Sequence, residues 1–130
     1  MPATPDRIQT ATALRDLVAA RPTPRACQCA LGTCAAWESI TEERWPGAQL
    51  EAVATLRDPD LDEPTFEERH PHGTRYESPD APITLTFFPF NRCDVWHCRV
   101  CDKHLLRYTE FGGYYVDHRV RTLDPGLIED

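Results

Sequence analysis

The stretch CDVWHCRVCDKHLLRYTEFGGYYVDHRVR, residues 93–121, decides the fold that we predict. It is rich in β-branched and aromatic residues, which favour strands. We expect one strand to end at Cys98 and another to run from His104 to Phe111, with a tight turn between them. Gly112-Gly113 then predicts a hairpin, because glycine adopts positive φ without steric cost. The returning strand is predicted from Tyr114 to Val120.

The register of this hairpin depends on the length of its turn. If the two glycines alone form the turn, Phe111 lies opposite Tyr114. The same register places Thr109 opposite Val116. Neither face of this hairpin is purely apolar, which is typical of a half-exposed sheet.

The cysteines form two clusters that lie far apart in the chain, and they are Cys27, Cys29, Cys34, Cys93, Cys98 and Cys101. Two thiolates a few residues apart bind one side of a tetrahedral metal ion, and a second pair closes the other side. We expect Cys98 and Cys101 to supply one pair for a zinc ion. Cys27 and Cys29 are expected to supply the other. Cys34 is a substitute ligand, because the dipole of a predicted helix start stabilises its thiolate.

Other uses of the cysteines stay open at this point. They include disulfides, a redox C-x2-C pair, buried cysteines without a ligand, an iron–sulfur cluster and a two-zinc site of six thiolates. A redox pair is disfavoured because its C-x2-C belongs where a strand leads into a helix, whereas here it lies between strands. Cys93 needs a looped strand to reach the ion bound by Cys98, and His104 is the one histidine expected near it.

Val95 to Tyr108 resembles half of a zinc ribbon, through Cys98-Arg-Val-Cys101 between two strand-like runs. The resemblance implies a turn that aims both sulfurs and neighbouring backbone amides at one zinc ion. The first cysteine cluster departs from the second C-x2-C of a complete ribbon. Leu106 to Arg121 is also similar to runs in small uncharacterised bacterial proteins, a resemblance that implies no function.

The N-terminal part of the chain predicts two helices, at Thr4 to Ala20 and at Ala35 to Arg44, from apolar residues at helical spacing. With 130 residues the chain fits one domain, residues 1–130. We therefore expect an α+β fold, in which two N-terminal helices pack against a mostly antiparallel sheet. The metal site would tie residues 27–34 to the zinc-ribbon-like C-terminal hairpin at 98–101.

The formal net charge of −7 disfavours general binding to nucleic acid, whose affinity depends on neutralising phosphates. Residues 58–80 hold eight acids against Arg69 and Arg75. Such a segment favours a basic protein partner. The acids that we expect to contact this partner are Asp58, Asp60, Asp62, Glu63, Glu67 and Glu68.

Four thiolates predict a closed, structural zinc site, and the H-x-E with P-C-x-x-C and H-E-x-x-H motifs of zinc enzymes are absent from the sequence. We expect a zinc-stabilised, non-enzymatic protein-interaction module, such as an acidic inhibitor or immunity-type protein for a basic partner. A zinc- or thiol-dependent enzyme is one alternative. The other is a nucleic-acid-binding zinc ribbon with the basic residues Arg92, Arg99, Lys103 and Arg107.

Charged residues interrupt every apolar run near the N-terminus, so we expect no targeting segment. No stretch of the sequence has the ~18 apolar residues that span a bilayer. These features predict a cytoplasmic protein that does not contact membranes. They do not indicate its oligomeric state.

Overall fold

The computed structural model describes residues 6–22, 24, 31, 34–111 and 114–129. In this part of the chain, one α-helix and long irregular segments pack against a six-stranded sheet. The elements, in chain order, are β1 (Asp6–Arg7), α1 (Ala11–Ala19), β2 (Glu38–Ser39), β3 (Leu50–Thr55), β4 (Ile83–Thr84), β5 (Asp94–Cys98), β6 (His104–Phe111), β7 (Val116–Thr122) and β8 (Ile128–Glu129).

Six of these strands form one sheet, in the order β1-β3-β5-β6-β7-β2. The pairing is antiparallel throughout, except that β1 runs parallel to β3. Strands β4 and β8 form a separate parallel pair. No described helix has the length and apolar character needed to cross a membrane.

Strand β6 lies between β5 and β7, and apolar side chains cover both of its faces. On one face lies the helix-side cluster, whose buried members are Ala11, Leu14, Trp37, Ala54, Leu56, Ile83, Leu85, Phe90, Cys93, Val95, Leu106, Tyr108, Leu123 and Ile128. On the other lies the cysteine-side cluster of Leu31, Cys34, Ile40, Leu50, Cys98, Cys101, Leu105 and Val120. The run His104-Leu105-Leu106 is therefore buried throughout.

The predicted first helix is shorter than expected, because its N-terminal part joins the sheet. Asp6–Arg7 pairs with β3, and the Ile8 N–H donates to the Thr55 carbonyl at 2.9 Å. Helix α1 begins only after Thr10, whose side-chain oxygen accepts the Ala13 N–H at 3.1 Å. A threonine in this role satisfies one of the donors that a helix start leaves unpaired.

The second predicted helix, Ala35 to Arg44, is wrong: this segment contains β2 and turns. Residues three apart share a helix face, yet Trp37 packs in the helix-side cluster and Ile40 in the cysteine-side cluster. The segment instead pairs with the edge of β7, where the Ile40 N–H donates to the His118 carbonyl at 2.8 Å. The protein therefore has a small, predominantly β fold with one α-helix in its described part, not an α+β fold with two N-terminal helices.

Strand β6 has the predicted bounds, but the hairpin register is wrong. Phe111 lies opposite Val116, and Thr109 lies opposite His118. Four residues, 112–115, therefore separate the paired positions, and Gly112 and Gly113 lie outside the described residues. A shift of two residues keeps each side chain on its face, because the side-chain period of a strand is two.

Candidate metal centre and binding groove

Cys98 and Cys101 lie at the turn between β5 and β6. The Asp102 N–H donates to the Cys98 carbonyl, and the Cys98 N–H donates to the Lys103 carbonyl, both at 2.8 Å. Asp102 has φ of 64°, the left-handed conformation that closes the turn. These contacts form a tight turn between β5 and β6 that holds both cysteines.

Both cysteines of this turn are buried. Burial raises the pKa of Cys101, whereas the Lys103 backbone N–H, which donates to the Cys101 sulfur, lowers that pKa. The neighbouring Cys98 raises it again. A bound divalent cation would lower the pKa of these thiols, because a coordinated thiol is deprotonated. The turn thus supplies a sulfur pair and an amide donor, which fits one side of a zinc site.

Cys34 packs in the same cysteine-side cluster as this pair. Its sulfur donates to the Leu31 carbonyl at 3.2 Å. Burial, followed by the adjacent Glu38 carboxylate, raises the pKa of Cys34 to about 11, although Lys103 and Arg44 oppose the shift. Without a metal, Cys34 is therefore a neutral thiol at pH 7.

The expected ligands Cys27 and Cys29 lie outside the described residues. Within the described ranges, no three histidine, cysteine, aspartate or glutamate side chains are placed to hold one metal ion. Cys93 belongs to the helix-side cluster, across the sheet, and its sulfur donates to the Pro89 carbonyl at 3.3 Å. Burial raises the pKa of Cys93 well above its usual value. Of the expected ligands, the described residues therefore include the Cys98–Cys101 pair, and Cys34 lies in the same cluster.

His97 and His104 lie on the helix-side face of the sheet, and His97 contacts Asp102 of the cysteine turn. Both ring nitrogens of His97 face carboxylates: Nδ1 lies 2.9 Å from Glu51 Oε1, and Nε2 lies 3.0 Å from Asp102 Oδ1. The His104 ring packs 5.1 Å from the His97 ring. This network was not predictable from the sequence, because Glu51 lies far from His97 in the chain and only the β3–β5 pairing brings them together.

His104 makes a pH-dependent contribution to stability. It is 3% exposed, and burial, followed by the charge of His97, lowers its pKa to about 4. The unfolded chain takes up a proton at its usual pKa of about 6.5, so stability is full above that value and falls as the pH drops towards 4. We expect His104→Leu to reduce the loss of unfolding free energy between pH 7 and pH 4.5 by about 2 to 3 kcal/mol, measured by urea unfolding at both pH values.

The matched control for this measurement is His72→Asn, at an exposed position with φ of 58° that asparagine tolerates. This control is expected to keep the pH dependence of the wild type. Equal pH dependence in His104→Leu and the wild type would contradict the assignment.

Two clefts flank the C-terminal half of β6, one on each face of the strand. One cleft, of about 610 Å³, is lined by three carboxylates and three arginines, and we call it the acidic cleft because the three carboxylates form no ion pair with described residues. Its lining residues are Arg57, Asp62, Glu63, Pro64, Arg92, Asp94, Trp96, Arg107, Tyr108, Thr109 and Phe111. The aromatic cleft, of about 650 Å³, is lined by Phe66, Glu68, Tyr76, Phe88, Arg92, Tyr108, Thr109, Glu110, Phe111 and Arg119. Four residues line both clefts, and they are Arg92, Tyr108, Thr109 and Phe111. We call the two clefts together the groove.

The predicted acidic segment forms the outer wall of this groove. Asp62 and Glu63 line the acidic cleft, and Glu68 lines the aromatic cleft. Asp58 forms an ion pair with Arg7 at 3.2 Å, and Glu68 pairs with His70 at 2.9 Å. The other expected contact residues are exposed and form no ion pair within the described part of the chain, and they are Asp60, Asp62, Glu63 and Glu67.

Arg92 holds this wall against the body of the protein. Its guanidinium donates to the Pro64 carbonyl at 2.8 Å and lies 4.3 Å from the Phe66 ring centre. It also lies 5.0 Å from the Phe88 ring centre. Arg92 is thereby occupied by contacts inside the protein, although its charge counted towards the nucleic-acid alternative.

The other basic residues of that alternative also have contacts. Arg107 pairs with Glu42 at 3.1 Å and lies over the Trp45 ring. Arg99 donates to the Ala48 carbonyl at 2.6 Å, and Lys103 lies within the cysteine turn. This placement does not favour the open basic surface that phosphate binding needs.

Glu42 also accepts from the His118 ring at 2.8 Å, and the other ring nitrogen of His118 lies 3.1 Å from the Thr109 hydroxyl. A hydroxyl, imidazole and carboxylate in series are the groups of nucleophilic catalysis. Here the Glu42 side chain is 67% exposed and is shared with Arg107. We interpret the series as an ion-pair network that ties the segment around Glu42 to the sheet.

Comparison of the chain with protein-family models, curated proteins and solved structures gave no match.

Proposed function

We propose that the protein is a zinc-stabilised, non-enzymatic interaction module that binds a basic protein partner in the groove beside β6. The observation that carries this proposal is a small excess of carboxylates over arginines in the acidic cleft. Asp62, Glu63 and Asp94 form no ion pair with described residues. Of the three lining arginines, Arg107 is paired with Glu42, so that Arg57 and Arg92 oppose these three carboxylates. A basic segment complements such a site.

The zinc part of the proposal is supported by the geometry of the cysteine turn. Cys98 and Cys101 would hold one side of the ion, and Cys27 and Cys29 would hold the other, with Cys34 as the substitute. Zinc bound there would supply folding free energy and pin the N-terminal segment to the sheet. We place the protein in the cytoplasm, where a reducing environment keeps these thiols available to the metal.

An inhibitor or immunity-type role would follow from such a groove. An acidic surface speeds the encounter with a basic partner and excludes acidic ones. A partner with a basic active site would be occluded by the acidic wall and the exposed rings beside it. Phe66 and Phe111 supply those rings at the groove.

Neutralising the carboxylates of the acidic cleft tests this function. Short random peptides are selected by display for binding to the full chain, and we expect the selected peptides to be basic. The variant Asp62→Asn, Glu63→Gln, Asp94→Asn is expected to bind them about tenfold more weakly, because three favourable rim charges contribute about 1.4 kcal/mol together. Fluorescence anisotropy at low and at physiological salt measures this loss, which is expected to shrink as salt screens the charges.

A control variant changes the net charge equally at exposed acids outside the groove, namely Asp16→Asn, Glu43→Gln, Glu77→Gln. It is expected to bind within twofold of the wild type. Selection of acidic peptides, or an equal loss in both variants, would refute the proposed function.

A further inference from the structure

Among the described residues, the C-terminal half of β6 has a neighbouring strand on one side only. Strand β6 pairs with β7 as far as Phe111, but with β5 only as far as Arg107, which lies opposite Asp94. Before Asp94 the chain leaves the sheet through a 3₁₀ turn, Phe90–Arg92. Residues 108–111 therefore have no strand on their β5 side within the described part of the chain.

The direction of the backbone groups along this edge follows from the hydrogen bonds around it. The Cys98 N–H donates to the Lys103 carbonyl, and the Leu123 N–H donates to the His104 carbonyl. Successive residues of a strand alternate in direction, so odd-numbered residues of β6 face β5 and even-numbered ones face β7. The N–H and C=O groups of Thr109 and Phe111 thus point to the open side, where the described residues offer them no backbone partner.

We propose that this edge binds an extended peptide segment of a basic partner protein, which adds a strand to the sheet beside Thr109 and Phe111. This inference rests on the proposed function and deepens it by naming the mode of binding. Main-chain hydrogen bonds supply the affinity in such complexes, and side-chain pockets supply the specificity. Both features are present here.

The two clefts determine which types of side chain the bound peptide segment would need. An added strand points successive side chains to opposite faces of the sheet. One set would enter the acidic cleft and meet Asp62 and Glu63, and the alternate set would enter the aromatic cleft and meet Phe66 and Phe88. The geometry therefore fits a segment in which basic and apolar residues alternate.

The charges of the groove disfavour two other occupants, a nucleic-acid strand and a second copy of this chain. A nucleic-acid strand would bring phosphates beside Asp62, Glu63 and Asp94, which outnumber Arg57 and Arg92, the two lining arginines without an ion pair to a described residue. A second copy of this chain would bring its own acidic wall, since the wall lies beside the edge. A basic peptide is the occupant that the excess of carboxylates attracts.

The substitution Phe111→Pro tests whether the peptide adds a strand to the sheet. Phe111→Pro removes an N–H that faces the open side, so the hydrogen bonds between β6 and β7 are kept, as for prolines at natural sheet edges. Phe111→Ala is the matched control, which loses the same ring but keeps the N–H. We expect Phe111→Pro to bind a selected basic peptide about tenfold more weakly than Phe111→Ala, because the peptide carbonyl loses its donor.

Amide hydrogen exchange on the wild type provides a second test that does not depend on the folding of a variant. Saturating peptide is expected to slow exchange at Thr109 and Phe111 at least tenfold. Equal binding by the two Phe111 variants, or unchanged exchange at both amides, would overturn the strand addition. If binding then still depended on the acidic wall, the proposed function would stand, but the peptide would not bind by strand addition.

Sedimentation and oligonucleotide titration address the other occupants. We expect a monomer and no oligonucleotide binding at low salt. A dimer that Phe111→Pro dissociates would identify a second copy as the occupant, and displacement of the peptide by an oligonucleotide would identify nucleic acid. Either result would overturn the proposal of a peptide partner.

Discussion

The variant Cys98→Ser is expected to lose its zinc and to unfold at least about 15 °C below the wild type. Structural zinc in small domains supplies folding free energy on the order of 10 kcal/mol. Each kcal/mol shifts the melting temperature of a domain of this size by roughly 3 to 6 °C, so even half of that contribution gives a shift of this size. Serine at residue 98 cannot offer a thiolate, and Cys101 would remain without its partner across the turn.

Metal analysis and thermal unfolding of protein purified under reducing conditions measure the two effects. Cys93→Ser is the matched control, because Cys93 packs on the opposite face of the sheet from Cys98. It is expected to keep its zinc, although a hydroxyl in the helix-side cluster lowers stability by roughly 1 to 3 kcal/mol. Wild-type protein that binds no zinc, or Cys98→Ser that binds it fully, would contradict the metal proposal.

Leu106→Ala is expected to lower the free energy of unfolding by about 4 kcal/mol. Leu106 is fully buried at the centre of the sheet and belongs to the helix-side cluster. Truncating such a leucine removes its contacts and leaves a cavity, at a cost of roughly 2 to 5 kcal/mol. The high end applies when neighbours cannot move in, and β5 and β7 hold both sides of this residue.

Leu61→Ala is the matched control, because it makes the same change of residue type outside the core. Urea unfolding measures the unfolding free energy of both variants. Leu61 is 50% exposed in the acidic segment, so its truncation is expected to change the unfolding free energy by less than about 0.5 kcal/mol. Similar effects of the two substitutions would show that the helix-side cluster is not the core of this fold.

The charge pattern of the sequence predicted only part of the binding groove. The run of acids around residues 58–68 predicted a recognition surface, and the structure places part of that run along a groove. The floor of the groove was not predictable, because it depends on where β5 stops pairing with β6. Arg92 was expected to be available to phosphates, but the Pro64 carbonyl and the Phe66 ring occupy it.

The helix prediction for residues 35–44 failed for a related reason. Its residue types permit a helix, and such local preferences are weak, on the order of 0.5 kcal/mol per residue. The open edge of β7 offers hydrogen bonds to Ile40, and the two clusters offer separate sites for Trp37 and Ile40. These tertiary contacts outweigh the local preference.

The sequence by itself determined the strand His104–Phe111 and the turn at Cys98 and Cys101, because alternation, β-branched residues and cysteine spacing act over a few neighbouring residues. Only the tertiary structure decided which residues meet across the sheet. It placed Cys34 in the same apolar cluster as the cysteine pair, Cys93 on the opposite face, and the acidic wall beside the end of β6 that no described strand pairs with on the β5 side. Such contacts join residues that are distant in the chain, and their energies arise only when the whole sheet forms.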